Sequence, residues 1–173
     1  MSLAKQFGWL CGVMCGILIA TSSVDAKTNA SELRADRVVV DKSDRKLYLL
    51  RDGQVIRDYD VALGRVPYGH KQFQGDGRTP EGTYYLGGRN PESRFHRAIE
   101  ISYPNNHDLA HAQSHGKSAG GEIMIHGVPP ELQGWGADHA LFNWTEGCIA
   151  VLNDEMDEIW NAVGYGTPIE IRR

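Results

Sequence analysis

A cysteine set between a glycine and an apolar run, with a histidine-glycine pair upstream, is the arrangement in this sequence with the clearest chemical meaning. The stretch is Asn143-Trp144-Thr145-Glu146-Gly147-Cys148-Ile149-Ala150-Val151, and Cys148 is the only cysteine beyond the N-terminal apolar segment. A thiol becomes a nucleophile when a neighbouring base or cation favours its thiolate. His126 is the candidate base: it closes the apolar run Glu122-Ile123-Met124-Ile125, is followed by Gly127, and lies 22 residues before Cys148. Glycine at 147 lets the backbone turn tightly and lets a substrate carbonyl approach the following amides. Bland alternatives exist for both residues. A lone cysteine is often an inert small hydrophobe, and a lone histidine is often structural. His139 is the rival base, in loop sequence that fixes no geometry.

Other patterns carry less. Ser114-His115-Gly116-Lys117 and Ser43-Asp44-Arg45-Lys46 both match S-x-x-K, but the companion S-D-N and K-T-G motifs are missing. His107, His111 and His115 recur at every fourth position and would line one face of a helix. With no H-E-x-x-H, and with Pro104 and Gly116 bounding a polar stretch, no metal is expected. A papain-like peptidase would place its cysteine before its histidine, whereas here His126 comes first.

The elements that must position these residues are mostly strands. Arg37-Val38-Val39-Val40-Asp41 is β-branched and bounded by charge, and Lys46-Leu47-Tyr48-Leu49-Leu50 follows after a polar turn. Asp52-Gly53 signals a type I′ hairpin, which needs positive φ at both central residues. Val55 to Leu63 returns with Val55, Tyr59, Val61 and Leu63 at period two. Glu81 to Leu86, Ala98 to Tyr103, Glu122 to Ile125 and Thr167 to Arg172 are further strands. Long loops, Gly64 to Pro80, Pro104 to Gly120 and Val128 to Trp144, separate them, with a helical turn or two expected near Asp108 to Ser114. Asn153 is a candidate N-cap, and Met156, Ile159, Trp160 and Val163 form one apolar face of a short C-terminal helix. The expectation is a mostly-β domain with seven or eight strands and one clear helix.

Residues 1–26 have the form of a secretory signal: Lys5, a 14-residue apolar core from Phe7 to Ala20, then small residues ending at Ala26. A helix of that core spans about 21 Å against roughly 30 Å of hydrocarbon, so membrane contact is expected only through this segment, if it stays uncleaved. Residues 27–36 form a polar leader, and 37–173 a single domain. Cleavage leaves 147 residues, enough for one core. It removes one Lys and one Asp, so the net charge stays at −4, which gives no footprint for nucleic acid. With a single thiol left, no internal disulfide can form, and stability must come from packing.

Ile125-His126-Gly127, a spacer, then Thr145-Glu146-Gly147-Cys148-Ile149 resembles the signature of the L,D-transpeptidase catalytic domain, the YkuD-like family: His-Gly, a spacer, then Ser/Thr-x-Gly-Cys. The likeness extends over Val38-Val39-Val40-Asp41, Leu47-Tyr48-Leu49, the Asp52-Gly53 hairpin, Val61-Ala62-Leu63-Gly64 and Thr79-Pro80-Glu81-Gly82-Thr83, so it spans most of the domain. It implies a mixed β-sandwich with the thiol in a cleft beneath loops, and an exported protein of the periplasm or cell envelope. By this resemblance Cys148 would attack the carbonyl joining an L-centre to D-alanine in a peptidoglycan stem peptide. His126 would move the proton, and the Gly127 carbonyl would orient the imidazole. Amides of Gly147 and Cys148, in the turn begun by Thr145, would bind the oxyanion and substrate. No cofactor is implied. The acceptor would be a second stem peptide, a protein amine, or water, the last giving an L,D-carboxypeptidase or cross-link amidase.

Two departures stand out. Many members have His at the place of Glu146, and Arg at the place of Ala150, where it is thought to help hold a substrate carboxylate. Arg65, Arg78, Arg94 and Arg97 lie in or beside loops and are the candidates to replace it. From a different class, the alternative is a catalytically inactive wall-binding module.

Overall fold

The computed structural model describes residues 33–173. The expected signal segment, 1–26, and most of the polar leader therefore lie outside the described residues. Eight strands form the framework: β1 Arg37–Asp41, β2 Lys46–Arg51, β3 Gln54–Asp60, β4 Gly82–Ser93, β5 His96–Ile101, β6 Met124–His126, β7 Ile149–Ala150 and β8 Pro168–Arg172. They hydrogen-bond in the order β3-β2-β1-β8-β4-β5-β6-β7. The pairs β1/β8 and β6/β7 are parallel and the rest antiparallel. β4 joins the two halves, pairing with β8 through Gly82 to Tyr85 and with β5 through Leu86 to Ser93. Beyond β3, Ala62 bridges Ala150 and Gly64 bridges Thr145, so β7 is paired on its outer side as well.

Local chemistry explains most of these elements. Val38, Val39 and Val40 are all buried, as a central strand covered on both faces requires. Leu47 and Leu49 alternate inward from β2. Asp52 and Gly53 have φ of 51° and 77°, the positive pair that a type I′ turn demands. The expected alternation from Val55 to Leu63 holds only in its second half. A register shift opposite Leu49 and Leu50 breaks the phase, so Val55 is exposed and Ile56 half-buried, while Tyr59, Val61 and Leu63 face the core.

The expectation of a mostly-β chain holds, with one mixed sheet of eight strands. Three helical segments stand where one clear helix and a turn or two near Asp108 to Ser114 were expected: α1 Asn106–Ser114, a 3₁₀ segment Pro130–Leu141, and α2 Asn153–Ala162. α1 exists because Asn105 and Asp108 cap it reciprocally: Asn105 Oδ1 accepts from the His107 and Asp108 amides, and Asp108 Oδ2 accepts from the Asn105 amide. α2 buries Met156 and Ile159, in keeping with their spacing. Its N-cap is Leu152 rather than Asn153, and the Leu152 amide donates to Glu155 Oε2 at 2.8 Å.

The long Gly64–Pro80 loop is tied down from below by a buried lysine. Lys42 Nζ donates to Gly69 O at 2.7 Å, Thr79 O at 3.1 Å and Glu81 Oε1 at 2.8 Å. His70 adds a second tie, accepting the Glu81 amide at Nδ1 and donating from Nε2 to buried Asp108. Replacing Lys42 by Met keeps the apolar stem but leaves two carbonyls and a carboxylate without their donor. The expected cost is about 3 kcal/mol, read as a lower urea midpoint with an unchanged denaturant slope.

Candidate active site

β6 and β7 run side by side in parallel, Ile125 opposite Ile149 and His126 opposite Ala150. Carrying that register back one residue sets Cys148 beside Met124. Side chains alternate along strands, so Ile125 and Ile149 enter the core together while His126 and Cys148 project from the other face. Strand spacing and rise put their Cα atoms roughly 8 Å apart on the diagonal. Sheet register is therefore what brings the expected nucleophile and base together.

The turn before β7 is built by Thr145 and Gly147. Thr145 is buried; its Oγ1 donates to Cys148 O at 2.7 Å and accepts the Gly147 amide at 3.1 Å. Gly147 has φ of 129°, and a Cβ there would lie 2.5 Å from Arg78 O and 3.2 Å from the Ile123 side chain. Only glycine fits that turn. The Gly147 amide, expected at the oxyanion, is thus taken by Thr145, whereas the Cys148 amide has no acceptor among the described residues.

His126 is 3% exposed. Its Nδ1 donates to Gly127 O at 2.7 Å, which leaves Nε2 as the basic nitrogen. Phe95 stacks on the imidazole at 4.4 Å between centroids, and Trp144 stands at 5.8 Å on a steeper angle. Burial lowers the imidazole pKa to about 4, Arg94 adding to the shift and the Gly127 carbonyl opposing it. Cys148 Sγ lies 3.5 Å from Glu122 O. Burial pushes its pKa up; the Met124 amide and the Lys71 ammonium pull it back, and Glu122 raises it further. Both groups are therefore uncharged at neutral pH. Lys71 is itself buried, donating to Phe73 O at 3.1 Å and Asp76 Oδ1 at 2.9 Å. A cleft of about 340 Å³ opens beside the Cys148 turn, with Lys71, Gln74, Ser118, Gly120, Glu122 and Glu146 in its wall; neither Cys148 nor His126 lines it.

Residues named as rivals or substitutes have other partners. His139 is buried, with Asp60 and Arg45 as its charged neighbours. Ser114 donates to His111 O and Ser43 to Asp41. His111 and His115 pack on Phe73, and His107 is exposed. Among the described residues no three His, Cys, Asp or Glu side chains converge as a metal site. Arg65 pairs with Glu146, Arg94 covers Phe95, and Arg97 pairs with Asp157 at 3.2 Å. Arg78 differs, since its Nε is buried without an acceptor and its carbonyl abuts Gly147. Ala150 is fully buried in its bridge with Ala62.

Sequence reasoning missed Phe95, Lys71 and Asn153. Phe95 alone left a signal, as an aromatic residue within the charged stretch Arg94-Phe95-His96-Arg97. Asn153 Oδ1 accepts the Val128 amide at 2.8 Å, beside the His126-Gly127 pair.

Comparison with known proteins points the same way as this geometry. The family model of the L,D-transpeptidase catalytic domain matches residues 35–171. A protein of Escherichia coli (strain K12), provisionally named L,D-transpeptidase YafK, is 30% identical over 91% of this chain, which spans 62% of that relative's length. The crystal structure of the helical cell shape determining protein Pgp2 from Campylobacter jejuni superposes with a TM-score of 0.59 at 27% identity, over 79% of this chain and 46% of that one. An L,D-transpeptidase from Mycobacterium smegmatis shares the fold, with a TM-score of 0.53 at 18% identity over 79% of this chain and 58% of that one.

The electrostatics of Cys148 give a direct expectation. Alkylation by iodoacetamide, followed by intact mass, should be slow at neutral pH and rise only above the ordinary thiol value of about 8.5. Lys71→Met removes a cation that favours the thiolate, so it should displace the profile further to high pH. A profile centred below neutrality would contradict the buried, uncharged thiol.

Proposed function

The chain belongs to the L,D-transpeptidase catalytic domain family, and from that premise we propose that it is an exported cysteine acyltransferase acting on peptidoglycan stem peptides. The observation that carries this reading is the parallel register that sets Cys148 and His126 on one face, with the His126 Nδ1 proton bound to Gly127 O. Cys148 Sγ attacks the carbonyl carbon that joins an L-centre to terminal D-alanine, and its proton passes to His126 Nε2. The oxyanion meets the Cys148 amide, the donor of this turn that Thr145 does not occupy. Collapse expels the D-alanine amine, which takes the proton back from His126 and leaves a thioester on Cys148. An incoming amine, from a stem peptide or a protein, then attacks the thioester carbonyl and gives up a proton to His126; the C–S bond breaks as the new amide forms, and His126 returns the proton to the departing Cys148 thiolate.

Water in place of that amine gives hydrolysis, and one feature favours keeping this second outcome in view. Ala150 is sealed in the sheet and Arg65 is engaged by Glu146, so two positions from which a cation would meet a substrate carboxylate are closed. Arg78 remains for that task. The likeness to a protein named for helical cell shape fits either outcome, since cross-linking and trimming both remodel the wall.

Incubating the purified chain with disaccharide-tetrapeptide, followed by mass spectrometry, tests the reading. Loss of D-alanine, or a cross-linked dimer, is expected with the wild type and is expected to vanish in Cys148→Ala, whose fold should be retained. Unchanged substrate beside a folded protein with an accessible thiol would favour a wall-binding module instead. The acid limb of kcat/KM reports protonation of the free base, so it should fall near pH 4 rather than at the usual histidine value.

A further inference from the structure

We propose that Asn153 is a positioning residue for His126, acting through the peptide bond between Gly127 and Val128. The inference rests on the reading of Cys148 and His126 as nucleophile and base. That one peptide group is held at both ends: its carbonyl accepts the His126 Nδ1 proton at 2.7 Å, and its amide donates to Asn153 Oδ1 at 2.8 Å. A peptide group is planar, so fixing its N–H fixes the direction of its C=O. An acceptor on the N–H also polarises the group and strengthens the bond its oxygen receives. The carboxamide thus supports the imidazole at one remove, where other triads place a carboxylate in direct contact.

Independent details agree. An asparagine at the start of a helix would ordinarily serve as its cap. Here Glu155 takes the Leu152 amide, which leaves the Asn153 side chain available for the His126-Gly127 segment. The fit there is close: a Cβ on residue 127 would overlap Asn153 Oδ1 and come within 2.9 Å of Phe95 O. Glycine at 127 is required by that close approach, so the His-Gly pair and Asn153 act as one unit. The charged and titratable groups around it are Arg94, set over Phe95, and His96 and Arg97, both bonded to Asp157 of α2 at 2.7 and 3.2 Å. Cys148 faces His126 across the strand pair.

The test is steady-state turnover of disaccharide-tetrapeptide across pH by the full chain, as wild type, Asn153→Ala, Asn153→Asp and His126→Ala. Loss of the acceptor in Asn153→Ala should lower kcat about 10- to 100-fold with KM unchanged, and move the acid limb to lower pH. Asn153→Asp keeps an acceptor and adds negative charge, so it should recover most of the rate and move the acid limb to higher pH. A purely structural asparagine would shift thermal stability and leave the limb in place. Should Asn153→Ala fail to fold, the direction of the limb in Asn153→Asp still decides. Wild-type kcat in Asn153→Ala beside an inactive His126→Ala would overturn this inference alone, as would the same limb in both Asn153 variants. Wild-type turnover in His126→Ala would overturn the catalytic reading and this inference with it.

Discussion

Two residue pairs of parallel sheet, Ile125 with Ile149 and His126 with Ala150, hold the site's two central residues on one face. Strands of three and two residues have no stability of their own, and their neighbours supply it. β5 pairs with β6 on one side, and the chain at Ala62 to Gly64 pairs with β7 and the turn before Cys148 on the other. Between them the Val151 amide donates to His126 O at 3.0 Å. Ile125 and Ile149 set the phase, because both are fully buried and a slip of one residue would turn them out of the core. The same slip would turn the histidine away from the cysteine. Core packing and site geometry are one constraint here.

The electrostatic design follows from that placement. An imidazole and a thiol set into an apolar wall are both uncharged at rest, and several charges near them are paired: Lys71 with Asp76, Lys42 with Glu81, Arg65 with Glu146 and Arg97 with Asp157. In the proposed reaction charge separates in the interior only when the proton moves. The imidazolium would then have the Gly127 carbonyl, and the thiolate the Met124 amide and the Lys71 ammonium. Groups already in place need no reorganisation to receive developing charge, which is where preorganised sites gain most.

Much of this was legible in the chain itself, for physical reasons that differ from element to element. β1, β2 and the Asp52-Gly53 turn follow from local side-chain chemistry, and α2 from the spacing of Met156 and Ile159. The Cys148 turn and the His126-Gly127 pair were legible because each combines a reactive side chain with a steric need for glycine. What escaped was decided by distant partners. The phase of Val55 depends on a bulge in the opposite strand, and the second half of β4 on pairing with β5 through two register shifts. Lys42 is buried only because its carbonyl and carboxylate partners arrive from residues 69 to 81. Asn153 has the composition of a cap, and only the tertiary fold sends its oxygen to Val128. α1 was expected only as a turn or two near Asp108 to Ser114, and its start two residues earlier is signalled locally by Asn105 and Asp108.

The place of β8 in the sheet bears on when the domain can form at all. This strand of residues 168–172 lies between β1 and β4, in parallel with the first and antiparallel to the second. Until it has been made, the two halves of the sheet have no joint, and β1 and β4 present unpaired edges. Pairings between segments far apart in sequence are slow to form, because the loop entropy must be met before the contacts reward it. On a nascent chain of this topology the sheet cannot close until residues 168–172 have emerged from the ribosome. For a protein proposed to leave the cytoplasm, that delay keeps the polypeptide threadable during translocation and reserves folding for the far side.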